Sequence, residues 1–146
     1  MKKSAKTTRF GWDHVEDFCK TLTEAEEALA VEMVSRISDK WSLRTIGVIA
    51  VLGQGQPMRF SRIMDWVKGI SQKSLTKTLR GLERDGLVTR EVFAEVPPRV
   101  EYTITALGLE MLDNVAPLFI WTGKTVQRFQ DCRAAFDRRE ILRGKK

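Results

Sequence analysis

The chain has 146 residues, the size of one ordinary domain, and 42% of them are hydrophobic, enough for a real core. Its 25 basic and 19 acidic residues leave a net charge of +6, which suits a polyanionic partner. Two cysteines, Cys19 and Cys132, are too few for a disulfide framework, and no uncharged apolar run reaches the ~18 residues of a membrane span. The basic start, Met1 to Arg9, is followed by no apolar stretch of the signal-peptide kind, so the expected compartment is a reducing cytoplasm.

Charge is unevenly distributed. Residues 1–58 carry eight of each sign, residues 59–100 nine basic against five acidic, and residues 101–146 eight against six. The cationic excess therefore lies in the middle third, which is where a function is sought.

In chain order, residues 1–11 are polar and expected to fray, and Trp12, Val15, Phe18, Cys19 and Leu22 fall at the spacing of a short amphipathic helix. Thr23 followed by Glu26 is a capping-box pattern, predicting a helix from Glu24 with Ala25, Ala28, Leu29, Met33 and Ile37 on one face. The next helix, Trp41 to Leu52, is apolar on most sides and belongs in a core; Gly53 and Gly55 end it. Pro57 to Phe60 forms a short strand. Ser61 is the expected N-cap of a helix bearing Ile63, Met64 and Val67, closed at Gly69.

Only Ile70 separates that closure from the next N-cap, Ser71, and from a helix running Gln72 to Asp85 that stops at Gly86. Two amphipathic helices joined by a tight glycine turn have the form of a helix-turn-helix. Leu87 to Glu95 and Arg99 to Thr105 are strand-like around Val96-Pro97-Pro98, giving a hairpin with a stiff tip carrying a cation, a β-wing. Thr105 caps a helix through Asn114. Pro117 then either kinks it or opens a new one, and Phe119, Thr122, Val126, Phe129 and Phe136 continue an apolar stripe.

The helix from Gln72 carries the functional argument. At 100° per residue Leu75, Leu79 and Leu82 cluster toward the core, while Lys73, Thr76, Lys77, Arg80 and Arg84 fall on the far side. A cationic ridge on a helix suits the major groove, where Arg or Lys pairs with guanine edges and Gln72 can read adenine. Ser71 and Ser74 complete the candidate contacts at the helix start. Arg99 on the wing, with Arg90 on the incoming strand, is expected to touch phosphate, which fixes register without reading sequence. Read alone, the ridge is also consistent with a solvated face, and Pro97-Pro98 with an ordinary turn.

At these residues the chain resembles the HxlR family of bacterial winged-helix regulators. GISQKSLTKTLRGLERDGLVTR (Gly69–Arg90) and EVPPRVEYTITALG (Glu95–Gly108) carry the likeness, with Asp39-Lys40-Trp41 and Arg59-Phe60-Ser61 as shorter elements in the right order. It covers approximately Ser38 to Trp121. The resemblance implies a mainly α fold with a small β-wing (α+β), a winged helix-turn-helix with extra N- and C-terminal helices for dimerisation. It divides the chain into an N-terminal arm at 1–23, a DNA-binding core at 24–109 and a dimerisation segment with a basic tail at 110–146. It further implies a homodimer on a palindromic double-stranded operator, with Ser71 to Arg84 as recognition helix and Val92 to Thr103 as wing. The stripe from Phe119 to Phe136 and the segment from Trp12 to Leu22 become dimer surfaces, against the alternative that both fold back on their own core.

Many relatives carry a cysteine about 13 residues before the tryptophan matching Trp41, and some use it to sense oxidants or electrophiles. Here that position falls near Ala28. Cys19, next to Lys20, is the candidate redox sensor, since a nearby cation stabilises thiolate; the favoured alternative is a small apolar residue on its helix face, and Cys132 is the weaker candidate. An enzyme is not expected: the one histidine, His14, has no paired acid or base, and no phosphate loop, metal cluster or cofactor motif accompanies it. The alternative function is a winged helix that binds protein, because fold does not fix function. A small-molecule or oxidant effector would complete the regulatory scheme.

Overall fold

The computed structural model describes residues 12–144. The expectations for residues 1–11 and for the side chain of Trp12 lie outside the described residues. The chain divides into two compact units, with the division after Leu43.

In the first unit, α1 (Trp12–Cys19) is followed by α2 (Glu24–Ser38). Thr23 and Glu26 make the capping box in full: the Thr23 hydroxyl accepts from the Glu26 amide at 3.3 Å, and the Glu26 carboxylate accepts from the Thr23 amide at 2.8 Å. Glu24, Glu26 and Glu27 in the first turn complement the helix dipole. Asp39 then starts α3 (Lys40–Gly53), its Oδ2 accepting from the Trp41 and Ser42 amides at 3.1 and 2.9 Å.

The second unit holds most of α3, then β1 (Met58–Arg59), α4 (Phe60–Trp66), α5 (Gln72–Arg84), β2 (Val88–Phe93), β3 (Arg99–Ile104) and α6 (Ala106–Arg143). The strands form one antiparallel sheet in the order β1-β3-β2. Its register pairs Met58 and Arg90 with Tyr102, Arg59 and Glu91 with Glu101, and Phe93 with Arg99. Period-two alternation buries Met58, Val88, Tyr102 and Ile104 on one face. They share a core with Ile46 and Ile49 of α3, Ile63 and Val67 around α4, and Leu75, Leu79 and Leu82 of α5.

The turn after α5 is a Schellman closure. Leu87 N–H donates to the Leu82 carbonyl at 2.9 Å and Gly86 N–H to the Glu83 carbonyl at 3.0 Å, with Gly86 at φ +74°. A side chain there would meet the left-handed penalty that glycine escapes.

Two expectations change. Ser61 is not the cap of α4: the last extended residue before the helix is Arg59 (φ −69°, ψ 146°), which pairs in β1 and takes the cap position without a side-chain bond. Of the two readings of Pro117, the new helix falls away: the proline sits inside α6, 38 residues long. Pro117, Asp113 and Ala116 are exposed, so the carbonyl that loses its donor, that of Asp113, faces water and the interruption is tolerated. The expected boundary at 109/110 accordingly falls within one continuous helix.

Candidate nucleic-acid interface

The helix-turn-helix is α4, a short turn, and α5. Gly69 adopts φ +85° to close the turn, and Ile70 behind it is buried, anchoring the connection to the core. Ser71 caps α5, its hydroxyl accepting from the Ser74 amide at 3.1 Å and donating to the Ser74 hydroxyl at 2.9 Å.

Leu75, Leu79 and Leu82 are at most 1% exposed. Burial of each contributes roughly 1.5–3 kcal/mol, so the roll of α5 about its axis is set by its leucines. The opposite face is therefore fixed outward. Gln72, Lys73, Thr76, Lys77, Arg80 and Arg84 are all exposed along it.

These candidates are not equivalent. Among the described residues Lys73, Lys77 and Arg84 form no ion pair, while Arg80 is paired to Glu83 one turn on, at 3.2 Å and 62% exposed. An exposed pair of this kind is worth little and yields readily to a polyanion. Thr76 donates its hydroxyl to the Gln72 carbonyl at 2.9 Å, leaving only lone pairs to offer. Ser71 and Ser74 are committed to the cap. The residues best placed to meet a groove are Gln72, Lys73, Lys77, Arg80 and Arg84.

The wing differs from its expected character. Residues 88–104 hold two basic side chains, Arg90 and Arg99, and three acidic ones, Glu91, Glu95 and Glu101, for a net charge of −1. Arg99 is turned into the hairpin, between Glu95 at 2.9 Å and Glu101 at 3.0 Å and over the Phe93 ring at 3.9 Å. Sequence reasoning missed Phe93, Glu95, Glu101 and Arg59, which make this cluster. Their signal was available in the Arg-x-Glu spacing of β3, since residues two apart on a strand share a face.

Elsewhere, Cys19 is half-buried and Cys132 exposed, both as free thiols. Lys20 gives its ammonium to Glu16 at 3.0 Å and Asp17 at 3.3 Å, which occupies the cation that was to sit beside Cys19. His14 is exposed. No group of three or more potential metal ligands is assembled among the described residues, and none of their helices is long and apolar enough to cross a membrane.

Comparison with known proteins decides what this helix-turn-helix belongs to. The family described as HxlR-like helix-turn-helix matches residues 36–130, which contain α3, α4, α5 and the wing whole. The chain belongs to the HxlR-like helix-turn-helix family. An uncharacterised HTH-type transcriptional regulator of Methanothermobacter thermautotrophicus is 42% identical over 67% of this chain and 71% of its own length. YtfH of Escherichia coli, named in the same way, is 33% identical over 66% of this chain and 74% of its own. Among solved structures, the reduced form of the redox regulator HypR superposes with a TM-score of 0.57 at 31% identity, covering 70% of this chain and 98% of HypR. The reduced form of the transcriptional regulator YodB of B. subtilis gives 0.55 at 29% identity, over 69% and 92%. This HxlR-like protein is thus a transcriptional regulator with a helix-turn-helix, mainly helical with a three-stranded antiparallel sheet, in a family of transcriptional regulators.

Proposed function

We propose that the protein is a sequence-specific DNA-binding regulator that acts as a homodimer on a palindromic operator, with α5 in the major groove. The observation that carries this is the two-sidedness of α5: three leucines buried on one side, and Gln72, Lys73, Lys77, Arg80 and Arg84 exposed on the other. A protein-binding face would instead carry exposed aromatics, which α5 lacks.

The dimer rests on α6. Val115, Leu118, Thr122, Thr125, Phe129, Cys132 and Phe136 follow one another at alternating steps of three and four residues, the seam of a coiled coil. Leu118, Phe129 and Phe136 stand on this seam 60%, 43% and 56% exposed. Apolar side chains left in water along a helix roughly 57 Å long are suited to a second copy of themselves. A regulator that works on DNA in this way works in the cytoplasm, and an effector would act by changing the distance between the two copies of α5.

Selection from random duplexes with the purified chain tests the reading. An inverted repeat with half-sites about one DNA turn apart, ~34–36 Å, is the expected product. Lys77→Ala or Arg80→Ala should relax preference at one position per half-site and cost about 1–3 kcal/mol there. Recovery of no preferred sequence rejects the proposal. Equal loss on operator and random DNA would reassign those residues to phosphate.

A second reading, thiol control of the same binding, is favoured by the likeness to HypR, a redox regulator solved in reduced and oxidised forms. The selected operator should then be released on oxidation of the wild type and retained by Cys19→Ser or Cys132→Ser, whichever thiol is responsible. Release from the double variant as well would exclude both.

A further inference from the structure

The strand register explains why Arg99 faces inward. Arg59, Glu101 and Glu91 lie in one row across the three strands, and Arg99 and Phe93 form the next pair toward the tip. Glu91 and Glu101 are therefore directly opposite on β2 and β3, where like charges destabilise a ladder. Glu101 is also only 13% exposed, so its carboxylate has lost most of its water and needs cations. Arg99 at 3.0 Å and Arg59 at 3.7 Å supply them.

Arg99 does more than neutralise. Its second terminal nitrogen reaches Glu95, four residues back across the tip, at 2.9 Å, and its Cζ sits over the Phe93 ring at 3.9 Å. One guanidinium thus ties both ends of the tip loop to the outer face of the hairpin. Apolar packing does not do this in its place. Val96 is fully exposed, and an open cavity of about 460 Å³ lies between the tip and the start of α4, with Phe60, Ser61 and Pro97 on its walls.

We infer that Arg99 is a positioning residue of the wing: it sets the shape of the hairpin tip through Phe93, Glu95 and Glu101, and the phosphate contacts of this protein come from elsewhere. Only the purpose of the wing rests on the DNA-binding reading; the clamp itself does not. The net charge of −1 on the hairpin agrees, and its other cation, Arg90, half-buried on the opposite face beside Tyr102 and without an ion pair among the described residues, is the one hairpin group left for a phosphate.

The test uses the full chain with Arg99→Ala, Arg99→Lys and Glu101→Gln, and has two arms. The first is amide hydrogen exchange without DNA. In Arg99→Ala the β2–β3 amides should exchange about tenfold faster or more, while those of α5 stay as they are. Arg99→Lys should not restore them, because an ammonium neither forks between two carboxylates nor stacks flat on a ring. The second arm is duplex affinity against salt. The log–log slope of Arg99→Ala should match the wild type, and Glu101→Gln, which releases Arg99 from one carboxylate, should not tighten binding. Unchanged exchange in Arg99→Ala overturns the inference. So does a slope smaller by about 0.9, the loss of one phosphate contact, that Lys restores. Should Arg99→Ala fail to fold, the other two variants carry both arms. Should no duplex bind at all, the DNA-binding reading falls while the exchange arm still decides what Arg99 does.

Discussion

Gly108 shows how one missing methyl fixes where α6 leaves the sheet. A Cβ at this position would overlap the Leu87 carbonyl oxygen and come within 2.9 Å of Cγ1 of Ile104. The neighbouring contacts hold the backbone there. Thr105 N–H donates to the Leu87 carbonyl at 3.1 Å, its hydroxyl donates to the Gly86 carbonyl at 2.7 Å, and the same hydroxyl caps the Gly108 amide at 3.0 Å. Gly123 sits in the same helix with nothing near its imaginary Cβ. The two sites therefore predict opposite signs for one substitution. Gly123→Ala should stabilise by up to ~1 kcal/mol through helix propensity. Gly108→Ala makes the same propensity gain and should nonetheless destabilise, by about 1–3 kcal/mol, because a backbone oxygen cannot give way as a side chain can. Urea midpoints for the two variants check this, and a stable Gly108→Ala would show that α6 and the turn at Leu87 are less tightly apposed than described. From the sequence, Gly108 is a weak helix residue near a cap; its reason is a contact with Leu87, in the turn that leads into β2.

At the scale of elements, what was legible depended on whether the signal was local. The capping box at Thr23 and the caps at Ser71 and Thr105 are spelled out within four residues and formed as read. The spacing of Leu75, Leu79 and Leu82 gave the buried side of α5, and with it the exposed ridge. What could not be read was non-local: the ladder that takes Arg59 into β1 and displaces the cap from Ser61, and the pairing of β2 with β3 that puts Arg99 between carboxylates. The strong caps also carry a pH prediction. The backbone amide of Thr23, and then its hydroxyl, hold the Glu26 carboxyl below its ordinary value of 4.5. A carboxylate lowered in the fold contributes stability that is complete above that ordinary value and is lost as pH falls through the lower, folded one. The first turn of α2 should then loosen on acidification below 4.5, seen as movement of the Thr23 amide resonance, and Glu26→Gln should abolish that movement. A Glu26 titration at or above 4.5 would mean the box does not persist in solution.

For the whole molecule, the seam on α6 and the ridge on α5 depend on each other. A single α5 presents only a few contacts, and specific affinity for a long site requires a second copy held at the matching distance. In the proposed dimer the seam is also where two copies would bury apolar side chains that one copy leaves in water. Phe129 is the one of the seam's two aromatics nearer its middle, so Phe129→Glu places two carboxylates in a desolvated contact and should yield a monomer at micromolar concentration by sedimentation. Ala134 is exposed and about 150° around the helix from the seam, so Ala134→Glu adds the same charge and should leave a dimer. Affinity for the selected operator should fall by roughly 10²–10⁴-fold in the first variant and little in the second, which is the size of effect that linking two sites confers. Binding to an isolated half-site should be equal in both, because neither change touches α5. If Phe129→Glu still sediments as a dimer, the second copy is held by another surface, and the exposed apolar residues of α1 and α2, Phe18, Leu29, Val31 and Val34, are the next to examine.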